Sequence, residues 1–290
     1  MESIKELRVI CQTTAKKDVS NYYMRYVSRF FSIYISRILL PLPVHADQVS
    51  LAMIVVGVGS TFIFLSPDRG LFLWGALGLQ LWYVLDCADG EVARYRFYQR
   101  AKEVVVDKTR LSMTGSYWDY LNHYIVHGLS LFLISYGAFR INGDSKWLLV
   151  GFTASFFQML LLAVHDSKSR AFVGKIHKEA SGQTVACAKQ RSAGTTQASP
   201  KRHSPFKWVF MGMHYSCTFP TVMNVITLTA ISNLMVRTGG TDLRLGLILY
   251  YAVASGIVFI CIAARNLSNK RIDRDFEEQF EFRSAKEFLV

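Results

Sequence analysis

The chain has no CxxC pair: its five cysteines, at 11, 87, 187, 217 and 261, are scattered singly along 290 residues. Such spacing yields neither a disulfide framework nor a thiolate zinc site. The first 20 residues, MESIKELRVICQTTAKKDVS, lack the apolar core of a signal peptide. Acidic residues are few, 21 against 33 Lys and Arg, which leaves a net charge of +12. No Ser-His or Cys-His arrangement marks a covalent nucleophile, and no internal repeat is evident.

Apolar residues, by contrast, make up 51% of the chain, and the mean hydropathy is +0.22. A basic balance alone would suit a nucleic-acid binder, but such a protein would not carry so many apolar runs of bilayer-spanning length. High hydropathy with basic connecting loops is the signature of a membrane protein. Six apolar segments, near 48–65, 71–90, 114–138, 147–164, 215–236 and 243–264, each approach the ~20 residues a span needs. Before them, residues 21–39 place Arg25, Ser28, Arg29, Ser32 and Ser36 on one side of a helix. Tyr23, Tyr26, Val27, Phe30, Phe31 and Tyr34 take the other. A basic amphipathic helix of this kind lies in the headgroup layer. The expected fold is therefore all-α and integral to the membrane, six transmembrane helices preceded by an amphipathic interfacial helix. Residues 1–47 form the amino-terminal region, 48–264 the six-helix domain with a flexible basic loop at about 165–210, and 265–290 a tail, read as a solvated helix. With both termini cytoplasmic, 28 of the 33 basic residues fall inside. Only Arg69, Arg140, Lys146, Arg237 and Arg244 fall outside.

The chemistry concentrates in DCADGEVARYR, residues 86–96, at the cytoplasmic end of the second span. Intramembrane acids are costly and are functional candidates by default. Asp86 and Asp89 are three apart and share a helix face. In the next span Gly115, Asp119 and His123 recur at steps of four and share another. Three carboxylates aimed at one point repel one another. A divalent cation relieves that repulsion, and an oxygen-rich set suits Mg²⁺ or Mn²⁺. Gly90, Ala93 and Gly115 are small enough to let a helix or a bulky ligand approach the backbone. Arg94, one turn beyond the acids, suits phosphate oxygens. A phosphate or pyrophosphate ligand follows, reached from the cytosol. The acids can alternatively be merely interfacial. His127, one turn beyond His123, is either part of a proton relay or a packing residue. Lys168 and Arg170 either bind an anionic acceptor or anchor the fourth span by ordinary positive-inside bias. Cys87 reads as a small packing residue and Pro220 as a kink in the fifth span.

The spacing Asp86-x-x-Asp89-Gly90-x-x-Ala93-Arg94 followed by Gly115-x-x-x-Asp119-x-x-x-His123 resembles the motif of the CDP-alcohol phosphatidyltransferases, D-x-x-D-G-x-x-A-R, eight residues, then G-x-x-x-D-x-x-x-D. With the amphipathic helix and six spans, the resemblance covers roughly residues 20–265. It implies a metal-dependent transferase of phospholipid biosynthesis. Such an enzyme moves a phosphatidyl or phospho-alcohol group from a CDP-linked lipid or alcohol donor to a hydroxyl acceptor and releases CMP. It also implies a homodimer among membrane lipids. The stretch ADQVS, residues 46–50, looks like a variant of the family's P-N-x-x-T segment. Asp47 and Ser50 thereby join Gly90, Ala93, Arg94 and Gly115 as candidate nucleotide contacts. Two departures stand out. Twenty residues, not eight, separate Arg94 from Gly115, and His123 replaces the last aspartate, which in the family deprotonates the acceptor. Histidine can serve as that base, can ligate metal beside Asp86, Asp89 and Asp119, or can mark a relative that binds CDP-lipid or nucleotide without turnover. A cation transporter is the remaining reading. It is disfavoured because the acids sit at the rim rather than the midplane.

Overall fold

The computed structural model describes residues 2–18, 22–103, 113–179, 184–188, 205–236 and 242–284. Residues 104–112 of the insertion between Arg94 and Gly115, Arg237, and 180–183 and 189–204 of the basic loop expected at about 165–210 lie outside these. The described elements are α1 (Ile4–Asp18), a π-helical turn (Met24–Ser28) leading into α2 (Arg29–Leu39), α3 (Ala46–Ile63), α4 (Arg69–Glu103), α5 (Met113–Asn142), α6 (Lys146–Glu179), β1 (Thr184–Ala188), α7 (Pro205–Ser216), α8 (Thr221–Met235), α9 (Leu243–Leu267), α10 (Arg271–Gln279) and β2 (Phe280–Ser284). The fold is helical, and α3, α4, α5, α6 and α9 are each long and apolar enough to cross a membrane.

Helix boundaries follow from local chemistry. Pro41 and Pro43 end the amphipathic stretch, since neither can continue a helix. At the start of α3 the His45 amide donates to Gln48 Oε1 (2.9 Å), satisfying one exposed donor, and Asp47 favours the positive end of the helix dipole. Asp68 caps α4 by accepting from the Leu71 amide at 2.7 Å. Gly143, at φ +70°, closes α5 in the left-handed conformation that glycine adopts without strain. Asp144 then accepts from the Lys146 amide (3.0 Å) to start α6.

Three expectations need correction. The fifth apolar segment, expected to kink at Pro220, breaks there by 83°: α7 and α8 are separate helices on either side of 217–220, and only taken together do they make a sixth candidate span. Alone, α8 is about 22 Å long, short of a ~30 Å hydrocarbon core. The loops expected after the second and fourth spans begin as helix, α4 running to Glu103 and α6 to Glu179, because Lys, Arg, Glu and Gln are good helix formers outside lipid as well. The tail is not simply a solvated helix. Asp275 and Phe276 of α10 are buried, and β2 pairs antiparallel with β1 in the register Thr184↔Ser284 to Ala188↔Phe280.

Contacts divide the chain into two compact units, residues 1–155 with 218–252, and residues 156–217 with 253–290. The first is centred on α4, whose Phe72, Ala76, Leu79 and Trp82 are fully buried. Glycines bring α3 against it. A Cβ at Gly78 would lie 2.2 Å from Ser60 Oγ, and one at Gly57 would lie 2.6 Å from Trp82 Cδ1. At the end of this unit remote from the motif, Arg244 is fully buried. It is gripped by Asp242 (2.8 to 3.0 Å) and donates to the Ser66 and Pro67 carbonyls. Arg69 and Arg140 likewise spend donors on backbone carbonyls. Those basic residues close loops. In the second unit Phe276 and Phe280 stack with Phe172 edge-on to both, Lys175 lies 4.6 Å from the Phe276 ring, and Asp275 joins Lys168 to Arg271.

Candidate metal and phosphate site

Residue spacing on α4 separates two faces. Asp86, Asp89, Gly90 and Ala93 share one, while Gln80, Tyr83, Cys87, Glu91 and Arg94 recur at steps of three and four along another. The acidic face and α5 together form the candidate site. His123 Nε2 stands 3.4 Å from Asp86 Oδ1 and 3.3 Å from Asp119 Oδ1. Asp86, Asp119 and His123 each offer a ligand atom within 4.8 Å of the others. Asp119 Oδ1 is buried, yet its approach to His123 lacks hydrogen-bond alignment, so it has no partner of that kind. An orphaned carboxylate oxygen among other donors fits a divalent cation, and two carboxylates with one imidazole suit Mn²⁺ and tolerate Mg²⁺ through the oxygens. The imidazole is held from behind. Its ring lies 5.2 Å from that of Trp82, which is wedged against Gly57, and Phe219 stacks on His127 at 3.9 Å. His127 is thus a packed ring, its Nε2 buried without a hydrogen-bond partner.

The remaining expected residues separate. Asp89 stands outside the three-ligand cluster: its Oδ2 accepts from Ser50 Oγ at 2.9 Å, tying α4 to the first turns of α3. Asp47, also on α3, faces Gly115, where an added Cβ would lie 3.7 Å from its Oδ1. Asp47, Ser50, Asp89 and Gly115 therefore mark where α3, α4 and α5 meet. Gly90 makes room for the Arg94 guanidinium, whose Nη1 would lie 3.0 Å from an added Cβ. Arg94 Nε donates to the Cys11 carbonyl of α1 at 2.6 Å, and Ala93 is exposed. Lys168 is already engaged, 2.5 Å from Asp275 in its own unit, which leaves the anionic-acceptor reading to Arg170, an exposed residue.

Sequence reasoning passed over Glu91. Fully buried on the other face of α4, it accepts from Gln12 Nε2 (2.6 Å), Ser32 Oγ (2.6 Å) and Ser36 Oγ (2.7 Å). It thereby fastens α1 and α2 to the helix that carries the acids. The serines at steps of four were visible as one polar side of the amphipathic stretch. That side is buried on α4, whereas Tyr26, Phe30, Phe31, Tyr34 and Ile38 face outward. Nothing in α1 announced that Cys11 and Gln12 would reach the motif. No known protein-family profile matches the chain, and no curated protein sequence matches it.

Proposed function

We propose that the chain is a multi-pass membrane enzyme that transfers a phosphatidyl or phospho-alcohol group from a CDP-linked donor to a hydroxyl acceptor. The observation that carries this reading is the convergence of Asp86, Asp119 and His123 from two successive apolar helices. The motif spacing shared with the CDP-alcohol phosphatidyltransferases supports it, and the amphipathic α2 with its outward aromatic face fits an interfacial position.

In this reading Asp86 and Asp119 would hold Mg²⁺ or Mn²⁺, which would supply positive charge against the pyrophosphate oxygens. Asp89, braced by Ser50, adds negative charge beside them, and Asp47, Gly115 and Gly90 border the space for the nucleotide. The acceptor hydroxyl attacks the β-phosphorus in line. An O–P bond forms, the bridging P–O bond breaks, and CMP departs with the electron pair. His123 Nε2 takes the acceptor proton, and the two carboxylates 3.3 and 3.4 Å away stabilise the resulting imidazolium. Both termini and the site face the cytoplasm on the positive-inside count.

The test is CMP release by purified protein with Mg²⁺ or Mn²⁺. CDP-diacylglycerol is offered with a panel of alcohols, then CDP-alcohols with diacylglycerol. Metal-dependent CMP release, lost in Asp119→Asn and His123→Ala, is the expected outcome. CDP-lipid binding without CMP, with turnover appearing only in His123→Asp, would instead identify a binding protein descended from such an enzyme.

A further inference from the structure

The most anomalous group in the first unit is a cation outside the acidic cluster. Arg29, at the junction of the π-helical turn and α2, is 5% exposed, and its Nε and Nη1 are buried with no hydrogen-bond partner. Beside it Ser28, 1% exposed, has an equally orphaned Oγ. A buried ion without a partner is among the costliest features a fold can carry.

The nearby carboxylate does not answer the need. Glu91 is occupied by Gln12, Ser32 and Ser36, and no hydrogen bond or ion pair joins it to Arg29. Arg94 lies within electrostatic reach of both Arg29 and Glu91. Asp89 is within reach of Arg94 as well, so the need for an anion lies with the unpaired Nε and Nη1 of Arg29 rather than with the net charge of this face. Gln12 adds no relief to the guanidinium: its Nε2 donates to the Arg29 carbonyl, and its Oε1 has no partner either.

An anion with several acceptor oxygens satisfies these groups together. A guanidinium and a hydroxyl are standard donors to phosphate. We propose that Arg29 and Ser28 hold a phosphate group, supplied by a membrane lipid that reaches α2 from the bilayer. The source follows from the surroundings: Tyr26, Phe30, Phe31 and Tyr34 of the same helical stretch are exposed, as aromatic side chains are at a headgroup layer. The site lies on the Cys87–Glu91–Arg94 face of α4 and is independent of turnover at Asp86, Asp119 and His123.

The experiment uses the full chain, stripped of lipid in a neutral detergent. Binding is read by native mass spectrometry and by the shift in thermal midpoint on adding phosphatidate, phosphatidylglycerol, diacylglycerol as the phosphate-free control, or inorganic phosphate. The wild type is expected to retain one phosphatidate or phosphatidylglycerol and to gain stability from it, with no gain from diacylglycerol. Arg29→Met weakens that binding by about ten- to a hundredfold, as loss of a charge-assisted contact should. Ser28→Ala, which keeps the charge and the fold, weakens it less. An equal gain from inorganic phosphate alone would keep the phosphate site and overturn the lipid as its source. Unchanged lipid binding in both Arg29→Met and Ser28→Ala would overturn the proposal. So would an Arg29→Met protein more stable than wild type in every lipid.

Discussion

Glu91 is the point at which α1 and α2 are joined to the motif helix, and replacing it has a calculable result. Its carboxylate accepts three bonds, at 2.6, 2.6 and 2.7 Å, from Gln12, Ser32 and Ser36, all buried. Bonds to a charged acceptor contribute about 1.5–3 kcal/mol each, and a buried donor left without a partner costs about 1–3 kcal/mol. Gln12 keeps its second bond to the Arg29 carbonyl, and a serine hydroxyl can turn to a helix carbonyl, so the losses do not add fully. Glu91→Ala should therefore weaken the docking of α1 by about 3 kcal/mol, and Glu91→Gln by about 1 kcal/mol, since the amide still accepts on one side. Cys11 reports that docking: it is 1% exposed on the inner face of α1, in a cluster with Leu7, Ile33, Leu40, Val49, Val92 and Tyr95. Burial pushes its thiol up to about 11. Maleimide labelling at Cys11, resolved from the other cysteines by peptide mass spectrometry, should accelerate about a hundredfold in Glu91→Ala, because about 1.4 kcal/mol is a factor of ten in the open population. Labelling as slow as in wild type, in a protein that has lost the carboxylate, would show that Glu91 does not hold α1 in place.

Other perturbations separate the remaining elements. Because Cys11 holds its proton more tightly when buried than when free, docking of α1 is fully stable below about pH 9, where the free thiol titrates, and should weaken as pH rises from there towards 11; backbone hydrogen exchange in α1 checks this. Hydrogen bonding to Lys168 holds the Asp275 carboxyl below its usual range, so its contribution is present at neutral pH and lost as acid takes the pH below about 4. Exchange at β2 should rise there, and Asp275→Asn should remove the dependence. Asp242→Ala strands the fully buried Arg244 and should cost about 3–5 kcal/mol in thermal stability, whereas Lys146→Ala on the surface should cost almost nothing. Gly57→Ala drives a methyl into Trp82 and should cost about 1–3 kcal/mol. If the site is as argued, the same change lowers CMP release by displacing the ring behind His123.

Much of the helical plan was legible because span length and periodicity are one-dimensional signals. The 48–65, 71–90, 114–138, 147–164 and 243–264 segments fall on α3, α4, α5, α6 and α9. The steps of three and four that paired Asp86 with Asp89, and Asp119 with His123, are equally local. Which of these residues meet is a different matter, set by how far α4 and α5 rotate about their axes. That rotation brings Asp86 to His123 and turns Asp89 to Ser50. The break at 217–220 was half legible in Pro220, but sequence alone gave no reason for two separate helices around it. The Glu91 cluster was hidden for another reason. Its donors come from two stretches, α1 and α2, up to 79 residues away from Glu91, and each reads singly as an ordinary polar side chain. The pairing of β1 with β2 is hidden in the same way, since neither five-residue strand has a pattern that names its partner.

In the proposed site two carboxylates, from α4 and α5, hold one divalent cation beside His123. Mn²⁺ binding, followed by electron paramagnetic resonance on the full chain, tests it most directly. Saturable binding is expected in the wild type, weakened at least about tenfold in Asp86→Asn and in Asp119→Asn. His123→Ala should keep the ion and lose CMP release, which is the behaviour of a base rather than a ligand. Mn²⁺ binding that is absent from the wild type, or that survives unchanged in Asp119→Asn, would contradict it.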